Sequence, residues 1–437
     1  MKNKEMGLWE AVSLAVGTMI GAGIFSILGV GAQICGTNLP IAFALAGLIS
    51  LSVAYSYAKL GSRFVSNAGP IEFILRGFGS NEITGALSFL MWFSYVISIS
   101  LFAKAFAGYF LALINVKSSP IFLGLVESIV IAIFVVLNFF GSKAVGKAEF
   151  WIVLIKVSIL LSFVVLGVWN INPQFIKPNF SGVSITDTFY ASSVLFLTYM
   201  GFGLITNASE NIKNPEKTVP LAIYISIAIV SFVYISVALV AIGNLGVDGL
   251  IKAKEYALAE ASKPFLGKFG FILVAIGALF STASAINATL YGGANIAYVL
   301  AKKGQLPKIF ERKVWFNEPE GLYITAFLSL IFAISFNLEG ISSLISFVFL
   351  IIYVFVIASH FKLAKQKQAD GNIGLISLNF IIIFTVLIIL MKYQWNSSKD
   401  SFWTSIGILI FVLIFEFLYK GYSHRIFIKR NKLAEKG

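Results

Sequence analysis

The 437-residue sequence predicts an all-α polytopic membrane protein with twelve transmembrane helices. Hydrophobic residues make up 58% of the chain and charged residues only 12%. A soluble domain carries about 25% charged residues, twice that fraction. The apolar residues also lie in long runs, and a helix needs about 20 of them to cross a bilayer. These observations exclude a soluble globular fold.

Polar breaks divide the apolar runs into twelve segments. They cover residues 8–35, 40–61, 83–114, 120–141, 149–170, 187–211, 218–243, 267–301, 321–338, 340–361, 374–394 and 401–420. The first ten segments are predicted to form a core within residues 1–361, and the last two form an addition at 374–420. Residues 421–437 are predicted to be a basic cytoplasmic tail.

The net charge of +13 is explained by membrane topology rather than by a nucleic-acid partner. With a cytoplasmic N-terminus, most lysines and arginines fall on cytoplasmic loops, as the positive-inside rule requires. We therefore predict a multi-pass protein of the cell membrane with both termini in the cytoplasm. The single cysteine excludes an internal disulfide framework. The two histidines, His360 and His424, are predicted at cytoplasmic helix ends, where neither would be a buried proton relay.

Two glycine clusters interrupt apolar segments at matching positions. One is Gly17-Thr-Met-Ile-Gly-Ala-Gly-Ile-Phe25 in the first segment, and the other is Phe196-Leu-Thr-Tyr-Met-Gly-Phe-Gly203 in the sixth. Close packing is one interpretation, because Gly17 and Gly21 form a GxxxG pair. Two clusters five segments apart favour helices that stop and restart at membrane depth, as in transporters built from inverted repeats.

Two lysines lie inside predicted spans, Lys156 in the fifth and Lys104 in the third. An ionisable residue at membrane depth is costly, so it usually marks a functional group. A lysine there could bind and release a proton. The alternative for Lys156 is a long side chain that reaches the membrane surface, and Lys104 is either deep or directed outward in the same way.

At these residues the chain resembles the amino acid–polyamine–organocation (APC) family, in particular its archaeal proton-coupled members. The matching motifs are Gly17–Phe25, Asn207-Ala-Ser-Glu-Asn-Ile-Lys-Asn-Pro-Glu-Lys-Thr-Val-Pro-Leu-Ala-Ile223 and Ala301-Lys-Lys-Gly-Gln-Leu-Pro307. The resemblance covers the whole chain. It implies the LeuT-like fold, with discontinuous first and sixth helices and five-helix inverted repeats at about 8–170 and 187–361.

The resemblance implies a secondary active transporter of amino acids that works by alternating access, not an enzyme. It implies an amino acid and protons as the small-molecule partners within a lipid bilayer, with no cofactor, no metal and no obligatory protein partner. The resemblance implies proton symport, and because no acidic residue lies close to either break, we expect the substrates to be neutral L-amino acids. A proton-independent exchanger, a polyamine or cationic amino-acid carrier, a sodium symporter and a non-transporting sensor remain alternatives.

The backbone at the two breaks is expected to bind the substrate. Its carboxylate would take N–H groups at the start of a half-helix, where the dipole is positive, from Gly21, Ala22 and Gly23. Its ammonium would take the carbonyls of Met19, Ile20, Tyr199 and Met200. The side-chain pocket is predicted next to Gly201, from Phe202 and Thr289. Packing or gating is the alternative role for Phe202.

The resemblance also assigns proton coupling to Lys156. Its ammonium would replace the cation that bridges the first and eighth helices in sodium-coupled relatives. The expected partners are the carbonyls of Gly17 and Ile20 and the hydroxyl of Ser281 or Ser284. Two further charge pairs are predicted near helix ends. Glu416 and Lys420 would form a structural i, i+4 pair, and Glu210 and Lys213 either a cytoplasmic gate or a solvated turn.

Overall fold

The computed structural model describes residues 6–66, 68–139, 143–302 and 304–423, without the side chains of residues 22, 143–150, 317 and 420–423. The described chain is folded almost entirely into helices. In order they are α1 Leu8–Ala22, α2 Ile24–Cys35, α3 Leu39–Arg63, α4 Pro70–Phe78, α5 Glu82–Leu113, α6 Pro120–Asn138, α7 Lys143–Gly167, α8 Gly182–Leu195, α9 Gly203–Asn207, α10 Pro215–Ala253, α11 Ala257–Lys302, α12 Glu320–Ser335, α13 Leu338–Lys365, α14 Ile373–Ser397 and α15 Lys399–Ser423.

Except for α4, which lies between the second and third predicted segments, these helices overlap the predicted apolar segments. Within the described ranges, nine stretches are long and apolar enough to cross a membrane, and two of them, Ile24–Arg63 and Pro215–Lys302, each contain two long helices in succession. Two further apolar helices, Leu8–Gly21 and Glu320–Ser335, are shorter. The chain is therefore a polytopic helical membrane protein.

The first segment is interrupted at Gly23, between α1 and α2, as its glycine content predicts. The Gly23 backbone is non-helical, with φ −94° and ψ −86°, and its N–H donates to the Met19 carbonyl at 3.0 Å. A Cβ atom at this position would lie 2.7 Å from the Cβ of Thr198. Glycine is thus required here because the sixth segment approaches so closely.

The α-helix of the sixth segment stops at Leu195 and restarts at Gly203, as predicted, but the residues between them do not unwind. Phe196–Phe202 forms a 3₁₀-helix between α8 and α9, and the flanking residues Leu195 and Gly203 have right-handed helical backbone. A 3₁₀-helix pairs each N–H with the carbonyl three residues earlier. The segment therefore changes its winding while its backbone groups stay paired, which the apolar surroundings favour.

Glycines with positive φ mark where the membrane-spanning part of α10 finishes and where that of α11 begins. Gly246 has φ 72° and Gly267 has φ 59°, a backbone region that glycine adopts without steric cost. The chain between them forms helical turns, and the carbonyl of Lys254 in these turns lies against Gly29 of α2. This connection therefore packs on the same end of the bundle as α2.

A backbone contact holds the start of the chain beside the end of α9. The N–H of Met6 donates to the Asn211 carbonyl at 3.1 Å, and the Met6 carbonyl accepts the N–H of Lys213 at 2.9 Å. We call this end of the bundle the Met6 end and the opposite end, where α2 finishes, the Cys35 end. The predicted Glu210–Lys213 gate lies in the loop that carries this contact.

His360 lies near the end of α13, as predicted, but the expectation that it is not buried is wrong. Its ring is fully buried, and its two nitrogens hydrogen-bond to Ser56 Oγ and to the Asp370 carbonyl, each at 3.0 Å. The ring thereby joins α13 to α3 and to the following loop. The side chains of the predicted charge partner Lys420 and of the predicted basic tail, with the residue His424, lie outside what the structure describes.

Candidate functional site

A cavity of about 110 Å³ lies beside the interruption of the first segment. Its lining comes from α1, α5, the 3₁₀-helix, α11 and α13, with α3, α4 and α9 toward the Met6 end. The residues are Thr18, Met19, Tyr57, Pro70, Met91, Ser94, Tyr95, Ser98, Leu101, Phe102, Leu197, Thr198, Met200, Gly201, Gly203, Leu204, Asn207, Thr289, Ile345, Phe349 and Tyr353. These residues are apolar or uncharged polar, and α5 supplies more of them than any other helix, although the sequence analysis singled out none of its residues for this site.

The cavity extends toward the Met6 end of the bundle. Pro70 of α4 and Asn207 of α9 line it there. Among the described residues, none from α2 or α8 contributes to the lining. The lining of the cavity therefore reaches the Met6 end and includes neither of the two helices α2 and α8 at the Cys35 end.

The predicted substrate-binding residues divide into two groups. Met19, Met200, Gly201 and Thr289 line the cavity, whereas Ile20, Gly21, Gly23, Tyr199 and Phe202 do not appear in its lining. The Phe202 ring is fully buried against Tyr57, with ring centroids 5.3 Å apart. In this conformation Phe202 therefore has the packing role that was the alternative to lining the substrate pocket.

The backbone groups predicted to bind substrate already have partners in this conformation. The Met19 carbonyl accepts the Gly23 N–H and also the Tyr234 hydroxyl of α10, at 2.6 Å, so both of its lone pairs are used. The Tyr234 hydroxyl lies 3.3 Å from the Thr198 carbonyl as well. An ammonium group at Met19 would have to displace this tyrosine. Gly21 and the Ala22 backbone belong to the helical turn that ends α1.

Lys156 of α7 points into the protein. Its side chain is only 2% exposed, and its ammonium donates to the Gly17 carbonyl of α1 at 2.5 Å. A Cβ atom on Gly21 would lie 3.0 Å from the Lys156 nitrogen. The geometry excludes the surface-directed alternative for this conformation, and it shows that Gly21 leaves room for the lysine rather than for a group in the cavity.

The other predicted coupling residues lie on α1 and α11. Ile20 and Ser281 are fully buried, and Ser284 is 8% exposed. The Ser281 carbonyl lies 3.7 Å from the position that a Gly21 Cβ would take. The Ser281 hydroxyl has no hydrogen-bond partner among the described residues. An available hydroxyl therefore lies on the side of α1 where Lys156 is bound.

The second intramembrane lysine has a partner that the sequence analysis missed. Lys104 of α5 donates to Glu127 Oε1 of α6 at 3.0 Å, and both side chains are buried. Glu127 Oε2 has no hydrogen-bond partner among the described residues. The acidic residue in the fourth apolar segment was the available signal, because a carboxylate at that depth calls for a cation nearby.

Removing one member of this pair is expected to destabilise the protein strongly. Lys104→Met or Glu127→Met alone leaves an unpaired buried charge, which costs about 3–5 kcal/mol. The double variant removes both charges and should recover most of that stability. Apparent melting temperatures in detergent for the wild type, both single variants and the double variant would test this. Additive losses in the double variant would contradict it.

Comparison with known proteins identifies the class, a membrane transporter of small molecules. The chain belongs to the amino acid permease family, which matches residues 6–415. It is 56% identical to an uncharacterized protein of Methanocaldococcus jannaschii over 98% of both chains. It is 33% identical to the inner membrane transport protein YbaT of Escherichia coli, over 96% of this chain and 97% of that one. It is 22% identical to the branched-chain amino acid permease BcaP of Bacillus subtilis, over 94% and 92%.

Proposed function

We propose that this amino acid permease is a proton-coupled symporter of neutral L-amino acids. In the proposal, twelve spans include two five-helix inverted repeats, both termini are cytoplasmic, and the Met6 end faces the cytoplasm. The observation that carries proton coupling is the buried ammonium of Lys156 on the Gly17 carbonyl. No cofactor, metal or further protein partner enters the proposal.

The proposed proton coupling rests on the hydrogen bond of Lys156, which connects α7 with α1. The protonated lysine donates to α1 one and a half turns before the interruption at Gly23. A neutral amine is a weaker donor than an ammonium, because charge-assisted hydrogen bonds are about twice as strong. Loss of the proton therefore weakens the connection between α7 and α1 and frees α1 to move. Gly17, Ile20, Ser281 and Ser284 are the proposed surroundings of this proton site.

The cavity favours a neutral substrate. Its lining offers no carboxylate or ammonium side chain among the described residues. A cationic side chain would want a carboxylate partner there. The name of one relative, a branched-chain amino acid permease, supports the same choice. We place the substrate's ammonium at the carbonyls of Met19, Ile20, Tyr199 and Met200, and its carboxylate at the N–H groups of Gly21, Ala22 and Gly23.

Binding at these groups requires a local change at the interruption. The Gly23 N–H and the Tyr234 hydroxyl must leave the Met19 carbonyl before a substrate ammonium can take their place. The described conformation therefore corresponds to a transporter without substrate. Gly201 and Thr289, which line the cavity, remain the proposed contacts for the substrate side chain.

Uptake into proteoliposomes tests the proposal. The purified protein is reconstituted without sodium, and a labelled amino-acid mixture is supplied with an imposed inward proton gradient. Accumulation above equilibrium that collapses with a proton ionophore is the expected result. Brisk exchange against preloaded amino acid without net accumulation would identify an exchanger. Accumulation driven only by an added sodium gradient would identify a sodium symporter, and binding without flux a sensor.

A carboxylate placed in the cavity should change its charge selectivity. Ser98 of α5 lines the cavity, and its hydroxyl donates to the Ser94 carbonyl at 2.8 Å. With Ser98→Asp, arginine and lysine should inhibit uptake of a labelled neutral amino acid at least about tenfold more strongly, because an ion pair forms in a partly dehydrated site. Ser98→Asn is the uncharged control. Equal inhibition in the two variants would place the substrate elsewhere.

A further inference from the structure

A carboxylate joins three helices at the Cys35 end of the bundle. Glu339 lies in the first turn of α13, and it is partly buried. Its Oε2 accepts a hydrogen bond from Gln33 Nε2 of α2 at 3.2 Å. Its Oε1 accepts the hydroxyl of Tyr393 of α14. Both carboxylate oxygens are thus used to connect α13 with α2 and α14.

The same cluster reaches the outer part of the sixth segment. The Tyr393 ring packs against Tyr190 of α8, with ring centroids 5.6 Å apart. Asn396 of α14 donates to the Tyr190 hydroxyl at 3.4 Å. Glu339 therefore lies at the centre of contacts that hold α2 and α8, the two half-helices beyond the altered backbone, against α13 and α14.

These contacts lie at the Cys35 end, on the side of the bundle that the cavity lining does not reach. Neither α2 nor α8 lines the cavity among the described residues. Access from the Cys35 end therefore requires α2 and α8 to move away from α13 and α14. Such a movement breaks the Gln33–Glu339 hydrogen bond and separates Tyr190 from Tyr393.

We propose that Glu339 is a proton-binding site whose protonation opens the cavity toward the Cys35 end. The ionised carboxylate accepts two charge-assisted hydrogen bonds, and a neutral carboxyl group accepts weaker ones and competes as a donor. A proton arriving from that side weakens the contacts of α13 with α2 and α14. The link between this protonation and the loading of substrate rests on the proposed proton symport, in which acid outside is the condition for loading.

Other titratable groups face this cluster and must be separated from Glu339. Asp187 of α8 interacts electrostatically with both Tyr393 and Cys35. On α15, Ser401 lies beside Gly340 of α13. Lys399, two residues before Ser401, places its ammonium over the Trp395 ring of α14. On α2 the groups are the uncharged Gln33 and the Cys35 thiol. Asp187 is therefore the competing carboxylate, and its amide variant is the control.

The native chain carries its own reporter for this movement. Cys35 is the single cysteine of the sequence, two residues after Gln33, and it is 5% exposed at the end of α2. Its thiol donates to the Gly31 carbonyl at 3.1 Å. Movement of α2 away from α13 exposes it. The rate at which a maleimide labels Cys35 therefore measures opening of this end, with Cys35→Ser as the blank.

The experiment uses the full-length protein in detergent at one fixed pH, so that thiol ionisation does not differ between samples. Glu339→Gln should be labelled about fivefold faster than the wild type, because neutral hydrogen bonds replace charge-assisted ones. Tyr393→Phe should also be faster, and Asp187→Asn should match the wild type. Gln33→Ala, which removes one exposed partner, is the second test if Glu339→Gln proves unstable, and it should be faster too.

The pH dependence distinguishes a proton site from a static contact. Labelling rates are divided by those of the unfolded chain at the same pH, which removes the intrinsic reactivity of the thiol. The normalised wild-type rate should rise as the pH falls, and that of Glu339→Gln should be flat. Equal rates in wild type and Glu339→Gln, or equal pH slopes, would overturn the proposal. Because labelling needs no transport, failure of symport would leave this result standing.

Discussion

Lys156→Ala is expected to abolish proton-driven accumulation of substrate while leaving the protein in the membrane. The variant removes the ammonium that donates to the Gly17 carbonyl, and with it the ionisable group of this contact between α7 and α1. We expect gradient-driven uptake to fall at least about a hundredfold, to the background of empty liposomes, because the coupled proton has no site. Uptake into proteoliposomes with and without an imposed proton gradient measures this.

Two controls separate coupling from folding. Lys156→Met keeps most of the side-chain volume. If gradient-driven uptake is lost in this variant too, the space that alanine leaves is not the cause of the loss. Counterflow with preloaded substrate needs no proton gradient and should survive in both variants if binding is intact. Undiminished gradient-driven accumulation by Lys156→Ala would end the assignment of coupling to this residue.

Gly21→Leu is expected to abolish uptake because its side chain occupies the space of the Lys156 ammonium. A Cβ alone would lie 3.0 Å from that nitrogen and 3.8 Å from Ala285 Cβ, so the remaining atoms of leucine have no room. Overpacking of this kind typically costs about 1–3 kcal/mol. The lysine must move away from Gly17, and initial uptake rates should fall to background. Gly21→Ala should lose activity only in part, because a flexible ammonium can yield.

A matched glycine replacement controls for expression. Gly407 of α15 has open space around the position of a Cβ, so Gly407→Leu should transport normally. The amount and the monodispersity of both variants after extraction in detergent are compared by size-exclusion chromatography of a fluorescent fusion. Normal uptake by Gly21→Leu would show that the Lys156–Gly17 contact is dispensable.

The sequence predicted features that depend on local composition. The interruption near Gly23 follows from glycines within an apolar run, and the inward direction of Lys156 follows from the cost of its charge in lipid. The same reasoning applied to Glu127 would have found the partner of Lys104. These predictions succeed because each rests on the chemistry of a few neighbouring residues.

The lining of the cavity could not be predicted in the same way. Which side chains face a shared space depends on the rotation of each helix about its axis. A residue turns by about 100° in an α-helix and by about 120° in a 3₁₀-helix. Met200 lines the cavity and Phe202, two residues later, does not, because residues two apart point in different directions in either winding. The contribution of Ser94 and Ser98 on α5 likewise depends on tertiary packing.

The 3₁₀-helix at Phe196–Phe202 is longer than the same residues would be as an α-helix. Its rise is about 2.0 Å per residue, compared with about 1.5 Å in an α-helix. Rewinding these seven residues as α-helix would shorten the segment by about 3.5 Å and rotate one end relative to the other by about 140°. Such rewinding would draw α8 along its axis, and each N–H would exchange the carbonyl three residues earlier for the one four residues earlier, so that the backbone groups remain paired.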